Sequence, residues 1–291
     1  MPENVQHCPL CAGDRSRLFD RREFRGLEVV NRLCLSCGLV YQSPRMTEAE
    51  AADFYEAEYR RLYQGDEGPD AKDLAVQRAR ADSLAGFVCA KVQRVSRQLD
   101  IGCSVGLLLQ RLQSDYDCQS IGVEPGRAHR VYAREHGLTV YASLEELRQS
   151  GETPFDLISM VHVLEHLPDP IGYLHSLRET LLAPDGWLLL EVPNLYAHDC
   201  FETAHLVSYS AHTLTQVVEK ARFEIVTREA HGHPRSDIVP YYLTLLARPA
   251  VADRPLRLRP ETGVGFKRWF GLLRRRILSR LFPRRAWKNI G

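Results

Sequence analysis

From about residue 97 the chain repeats one rhythm: a short apolar run, a turn, then a stretch with apolar positions every three or four residues. The runs are "QLDI", "SIGVE", "LTVYA", "FDLISMVHV" and "GWLLLEV"; the stretches include "GLLLQRLQ", "RAHRVYAREHG", "IGYLHSLRETL" and "AHTLTQVVEKA". Such alternation predicts a parallel-rich sheet with helices on both faces. "FEIVTREA" and "YYLTLLARP" are separated only by "HGHPRSDIVP", which predicts an antiparallel hairpin closing the sheet. The first 45 residues break the rhythm: pieces such as "LEVVNRL" and "GLVYQ" predict small hairpins. Next, "MTEAEAADFYEAEYRRLY" opens on Thr47 with Glu50 three residues later, the spacing of a capping box. It predicts a helix over about 47–62, with a second over about 71–93. The expected organisation is a ribbon at 1–45, a helical linker or cap at 46–95, an α/β domain at 96–250 and a tail at 251–291.

Four of the eight cysteines stand in two C-x2-C pairs, Cys8 with Cys11 and Cys34 with Cys37, separated by 22 residues. Two such turns aim four thiolates at one point, the closed donor set of a structural zinc site. A redox pair would not need a second copy. So small a ribbon needs its metal to hold a shape.

The stretch "LDIGCSVG" (99–106) is an apolar strand running into a turn with Gly102 and Gly106, where backbone and ligand can approach closely. It lacks the Gly-Lys-Ser/Thr of a phosphate-binding loop and the G-x-G-x-x-G of a dinucleotide fold. Asp100 would repel a pyrophosphate and suits an ammonium. Glu124, at the end of the next strand, is placed to accept ribose hydroxyls. An ammonium and a ribose without phosphate describe S-adenosylmethionine.

"LDIGCSVG" with "GVEPG" resembles the first two motifs of the class I S-adenosylmethionine-dependent methyltransferases, whose usual turn is D-x-G-x-G-x-G; Ser104 stands at the middle glycine. "FDLISMVHVLEHLPDP" (155–170), "LLLEVPN" (188–194) and "HLVSYSAHTLTQVVEKARFEIV" (205–226) resemble later segments of that family, with Arg222 where a glycine is usual. The resemblance covers about 97–247. It implies a Rossmann-like, doubly wound seven-stranded sheet. It places Asp100, Gly102, Ser104 and Gly106 at the methionine end of the cofactor and Glu124 at the ribose. Ala142 and Ser143 would flank the adenine, and His162 would sit near the transferred methyl. Cys103 is expected to pack. The pairing of a zinc ribbon with "CGLVYQSPRM" resembles methyltransferases of sugars and glycan precursors.

Methyl transfer to a hydroxyl needs an in-line nucleophile and a proton acceptor. His162, His166 and His205 are the candidates, with Glu165 as an orienting group. His205 resembles a substrate-side histidine of sugar methyltransferases; the carboxylate that precedes it there is Ala204 here. Tyr55 and Tyr59, one helical turn apart, would cap the pocket or pack.

Charge adds a further element. Residues 253–291 carry 12 Lys/Arg against 2 Asp/Glu, and the remainder 26 against 35. An acidic body argues against a nucleic-acid partner, and the basic device is local. In "FKRWFGLLRRRILSRLF" (266–282), positions 266, 269, 270, 273, 277 and 281 are apolar and share one helical face, with basic residues around them. This reads as an interfacial membrane helix; a helix docked on the body and an RNA-binding arm are the competing readings. No signal peptide or membrane span is read, so the expectation is cytoplasmic, with peripheral membrane contact through 264–282. The expected function is methyl transfer to a sugar or glycan-type hydroxyl. An RNA methyltransferase and a non-catalytic cofactor-binding scaffold are the alternatives.

Overall fold

The computed structural model describes residues 3–47, 50, 68–251 and 257–290. Tyr55, Tyr59 and most of the helix expected over 47–62 lie outside them. The expected cap is present: the Glu50 carboxylate accepts from the Thr47 N–H (2.9 Å), and the Glu50 N–H donates back to Thr47 Oγ1 (3.3 Å).

The amino-terminal ribbon is a hairpin of β1 (Ser16–Phe24) and β2 (Leu27–Cys34), extended by β3 (Val40–Gln42). Helix α1 (Ala71–Cys89) follows, capped by Asp70. Then comes the predicted alternation: β4 (Arg97–Ile101), α2 (Leu107–Tyr116), β5 (Gln119–Val123), α3 (Arg127–Glu135), β6 (Thr139–Tyr141), α4 (Leu144–Gln149), β7 (Phe155–Val161), α5 (Pro170–Thr180) and β8 (Leu182–Pro193). After a two-residue strand β9 (Val207–Ser208), helix α6 (Ala211–Lys220), β10 (Phe223–His231) and β11 (Tyr242–Pro249) complete the sheet. The tail holds α7 (Val264–Leu281) and α8 (Pro283–Ala286).

The seven-stranded sheet has the order β10-β11-β8-β7-β4-β5-β6. β4 to β8 pair in parallel, whereas β11 runs antiparallel between β8 and β10. This is the Rossmann-like methyltransferase architecture expected, with the closing hairpin folded inward so that β11 is not the edge. Strand order reverses between β4 and β7, so the crevice beyond their carboxyl ends is the natural ligand site of the sheet.

The ribbon does not stand apart. β3 pairs antiparallel with β9, making a second sheet ordered β1-β2-β3-β9. The main core runs from Leu10, Leu39 and Tyr41 of the ribbon through Val207 and Tyr209 to Ile158 and Leu190. Lys220 of α6 donates to the Leu10 carbonyl (2.6 Å), and the Glu261 N–H donates to the Cys37 carbonyl (3.0 Å). Helix α6 and the segment before α7 therefore clasp the cysteine turns.

Candidate active site

At the carboxyl end of β4 the chain turns sharply. The Gly102 and Cys103 N–H groups both donate to the Val123 carbonyl (2.8 and 3.1 Å), and the Gly106 N–H donates to the Cys103 carbonyl (2.8 Å). Gly102, Ser104 and Gly106 have φ of 73°, 51° and 80°. All three are left-handed, the region glycine enters without a steric penalty, so Ser104 takes the conformation of the glycine it replaces. A Cβ on Gly102 would stand 2.6 Å from Val163 Cγ2, and one on Gly106 2.1 Å from Leu138 Cδ1. Cys103 is buried against Leu109 and Gly122, in the packing role expected.

Two buried carboxylates face this turn. Glu124 accepts the Ser104 N–H at Oε2 (2.8 Å) and the Gly126 N–H at Oε1 (2.7 Å), tying the turn after β4 to the turn after β5. Asp100 accepts the Ser159 hydroxyl (2.7 Å). Burial, with the nearby Glu124 charge, pushes its pKa up to about 7, against the pull of the Ser159 hydrogen bond. A carboxyl in that state gains from a cation brought beside it.

Between the turn and α1 lies a crevice of about 260 Å³, lined among others by Gln77, Arg80, Asp100, Gly102, Ser104 and Val161. Ser143 is not part of this lining; its hydroxyl accepts the Glu146 N–H (3.1 Å) and caps α4.

At the carboxyl ends of β7 and β8 the three candidate histidines come together with groups the sequence reading did not single out. His162 leaves β7 with φ of 57°. Its Nε2 lies 3.2 Å from Glu191 Oε1 and its Nδ1 3.4 Å from Glu165 Oε1, and its ring meets the Tyr242 ring edge-on. Glu191 is fully buried on β8 and also accepts the Thr244 hydroxyl (2.9 Å). His231 Nε2 (3.2 Å) and Arg80 Nε (3.2 Å) surround it. Burial alone would raise the Glu191 pKa; the hydrogen bonds from His162 and His231 and the Arg80 charge outweigh it, so the group stays ionised.

His166 and His205 meet edge to face, with ring centres 4.8 Å apart. His166 Nδ1 donates to the Ala204 carbonyl (2.8 Å), and burial lowers its pKa to about 4, so the ring is neutral near pH 7. His205 points Nδ1 at the Cys200 carbonyl (3.0 Å) and Nε2 at Glu202 Oε1 (2.8 Å). Both partners are acceptors, which calls for two N–H groups and hence the imidazolium. Burial opposes that state, but the Glu202 hydrogen bond and charge raise the His205 pKa overall. Residue 204 carries no carboxylate, and Glu202 is the one that reaches the His205 ring. Glu165 lies buried among the three histidines; burial works to raise its pKa, while the His162 hydrogen bond and the histidine charges bring it down to about 2. Glu165, His166 and His205 also bring three donor atoms within 4.8 Å of one another.

On the ribbon, the Sγ atoms of Cys8, Cys11, Cys34 and Cys37 all lie within 4.8 Å of one another, with Cys8–Cys37 and Cys11–Cys34 at 3.5 Å. A tetrahedral zinc with Zn–S bonds of about 2.3 Å sets its sulfurs about 3.8 Å apart, so the four thiols fit that ion. The turns are closed by Ala12 N–H donating to the Cys8 carbonyl (2.9 Å) and Gly38 N–H to the Cys34 carbonyl (3.0 Å).

Comparison with known proteins places this geometry. A ubiquinone biosynthesis O-methyltransferase of Cereibacter sphaeroides is 36% identical over 104 residues, covering 34% of this chain and 41% of that protein. One from Xanthomonas axonopodis pv. citri is 28% identical over 162 residues, covering 51% and 65%. In both, the match spans less than two-thirds of the relative's length. The structure is similar to that of a Burkholderia thailandensis 1,6-didemethyltoxoflavin-N1-methyltransferase with bound S-adenosylhomocysteine, with a TM-score of 0.58 at 18% identity over 79% of this chain and 99% of that one. It is also similar to a SAM-dependent methyltransferase of Leishmania major, with a TM-score of 0.51 at 14% identity over 68% and 82%. At these identities the likeness is one of fold. Residues 74–228 match the family model described as a methyltransferase domain. That match takes in more than half of the chain, which therefore belongs to the methyltransferase-domain family.

Proposed function

We propose that the protein is an S-adenosylmethionine-dependent methyltransferase acting on a hydroxyl of a small-molecule acceptor. The observation that carries this is the crevice beyond β4 and β7, beside the turn that Glu124 ties to β5. Its buried carboxyl Asp100 is ready for an ammonium. Glu124 is fixed by two backbone amides beside the turn, and Gly102 and Ser104 of that positive-φ turn line the crevice. That donor set fits an aminoacyl chain and a ribose. When bound, S-adenosylmethionine supplies an activated methyl on a sulfonium centre. Asp100 holds the ammonium, Glu124 accepts from the ribose hydroxyls, and the Gly102–Gly106 turn leaves space for the methionine end.

His162 is the proton acceptor in this reading. It is partly exposed and stands at the β7 end next to the crevice wall. Glu191 behind Nε2 fixes the ring, and in this reading Nδ1 gives up its contact with Glu165 to take the acceptor's proton. His166 faces the acceptor in this reading, and the Glu202–His205 pair, with both of its N–H groups already taken, holds the His166 ring from behind. The four cysteines hold a structural zinc, which stiffens the ribbon that β9 joins to the His205 segment.

The acceptor class has two supports pulling apart. The ribbon and its "CGLVYQSPRM" continuation favour a sugar or glycan-type hydroxyl. The relatives named for ubiquinone biosynthesis share only the methyltransferase region and favour an oxygen acceptor of another class. Purified protein, methyl-labelled cofactor and host extract, split into RNA, lipid-extractable and soluble sugar-nucleotide fractions, test this. Label in a non-RNA fraction that falls at least a hundredfold with His162→Gln, while cofactor binding holds, supports the reading. Label in RNA, or none, rejects it.

A further inference from the structure

Helix α7 uses its two sides for different purposes. One side is seated on the body. Val264 and Arg268 are buried. The Arg268 guanidinium donates to the Leu195 and His198 carbonyls and lies over the Phe201 ring. Gly271 packs so closely on the Tyr196 carbonyl that a Cβ would stand 1.9 Å from its oxygen. Arg275 donates to the Ala197 carbonyl (3.3 Å) and lies over Tyr241. At about 100° per residue these positions share one face.

The opposite face carries Phe266, Trp269, Phe270, Leu273, Ile277 and Leu281, within an arc of about 120°. All are exposed, Phe266 at 68%, Trp269 at 59% and Leu281 at 66%. Phe266 holds Trp269 and Phe270 in ring contact (centres 5.9 and 6.4 Å), so the patch is continuous. Arg274 and Arg276 flank it on its two sides, and Arg280 lies within the arc at an angle between those of Trp269 and Leu273. Among the described residues no acidic side chain comes within ion-pair distance of these three arginines or of Arg284. From Thr262 to the last residue the sequence has no Asp or Glu.

We propose that this face is a docking surface for an anionic lipid bilayer. An apolar, aromatic stripe bordered by unpaired arginines is complementary to a layer that is greasy at depth and negative at its surface. A second copy of this chain would bring the arginine borders of two identical faces together, where like charges repel. A phosphate backbone would leave six apolar side chains without a partner. No helix among the described residues is long and apolar enough to cross a membrane, so attachment is lateral. The inner side of α7 grips the 195–200 segment, which leads directly into Glu202 and His205. The inference stands independently of the methyl-transfer reading, because its test reads binding and not activity.

The test is co-sedimentation of the full chain with vesicles of phosphatidylcholine alone and of equimolar phosphatidylcholine and phosphatidylglycerol. Wild-type protein is expected to partition onto the anionic vesicles and not the neutral ones. Arg274→Glu with Arg280→Glu should weaken partitioning at least about 30-fold, from the usual worth of two basic side chains at an anionic surface. Trp269→Ser with Phe270→Ser should weaken it by at least about tenfold. All four positions point away from the body, and circular dichroism checks that the variants fold. Equal binding to both vesicle types, or unchanged binding by both variants, overturns the proposal. So does a dimer in sedimentation velocity that Trp269→Ser with Phe270→Ser converts to monomer, which would assign the face to a second copy.

Discussion

Replacing Asp100 with asparagine should make the free protein more stable above pH 7 while weakening its hold on S-adenosylhomocysteine. Asp100 is buried at 4% exposure, beside Glu124, with one hydrogen bond from Ser159. Its pKa rises from 3.8 to about 7, chiefly because burial penalises the charged form. A folded-state pKa above the unfolded value contributes stability that is complete below pH 3.8 and lost as pH climbs to about 7. The difference of about three pH units corresponds to about 4 kcal/mol. Asparagine keeps the oxygen that Ser159 bonds and never ionises, so the variant avoids that loss. Urea unfolding across pH 4 to 8 should show the two proteins alike near pH 4. By pH 8 the variant should lead by on the order of 2–4 kcal/mol. Titration calorimetry with S-adenosylhomocysteine should show the reverse ranking. Losing a charge-assisted contact to the ligand's ammonium costs about 1.5–3 kcal/mol, or about 10- to 100-fold in affinity. Wild-type binding below pH 7 should also release a proton, visible as a buffer-dependent enthalpy, and the variant's should not. A variant no more stable at pH 8, or one that binds the ligand as tightly as wild type, would refute the reasoning.

Other consequences can be checked separately. Gly106→Ala and Gly26→Ala place the same methyl on left-handed backbone, but only the first meets Leu138. Gly26→Ala should cost about 1 kcal/mol and Gly106→Ala about 2–5 kcal/mol, read by thermal melting. Elemental analysis should find one zinc per chain in wild type and in Cys200→Ser, and none in Cys34→Ser. Circular dichroism should show the ribbon lost in the last, since such sites draw about 10 kcal/mol or more of folding energy from the metal. Glu202→Gln should lower the His205 pKa, since the lost hydrogen bond and charge are what raise it; imidazole NMR titration follows it directly. An unchanged titration would mean that Glu202 does not hold the ring cationic.

The sheet was legible because each of its elements carries a local signal: "LDIGCSVG" ends a strand in a turn that needs positive φ, and "FDLISMVHV" is apolar enough to be buried on both faces. The cysteine cluster was legible from spacing alone. Glu191 was not, although a carboxylate inside the apolar run "LLLEVPN" is itself unusual; its meaning depends on Arg80, His162, Thr244 and His231, which are distant in sequence. Glu202 was not legible because the resemblance puts its carboxylate immediately before the histidine, whereas here a loop lets a residue three positions away reach the ring. The pairing of β3 with β9 involves two residues of β9, too few for any periodicity. Ser143 sat at the expected strand exit, yet the short helix α4 claimed its hydroxyl. The tail helix carried a double message: one face reads as interfacial from the pattern, while the seat of Arg268 and Gly271 on the 195–200 segment has no periodic signature.

In the proposed reading the crevice beyond β4 and β7 holds S-adenosylmethionine, and its methyl leaves for a hydroxyl. The most direct measurement is a single-turnover reaction: protein loaded with methyl-labelled cofactor, mixed with host extract, and quenched at intervals. The account predicts that S-adenosylhomocysteine forms in step with a labelled methyl ether, and that Glu124→Ala abolishes both by failing to load. Label that stays on the cofactor in wild type, or moves to nitrogen, carbon or RNA, would contradict it.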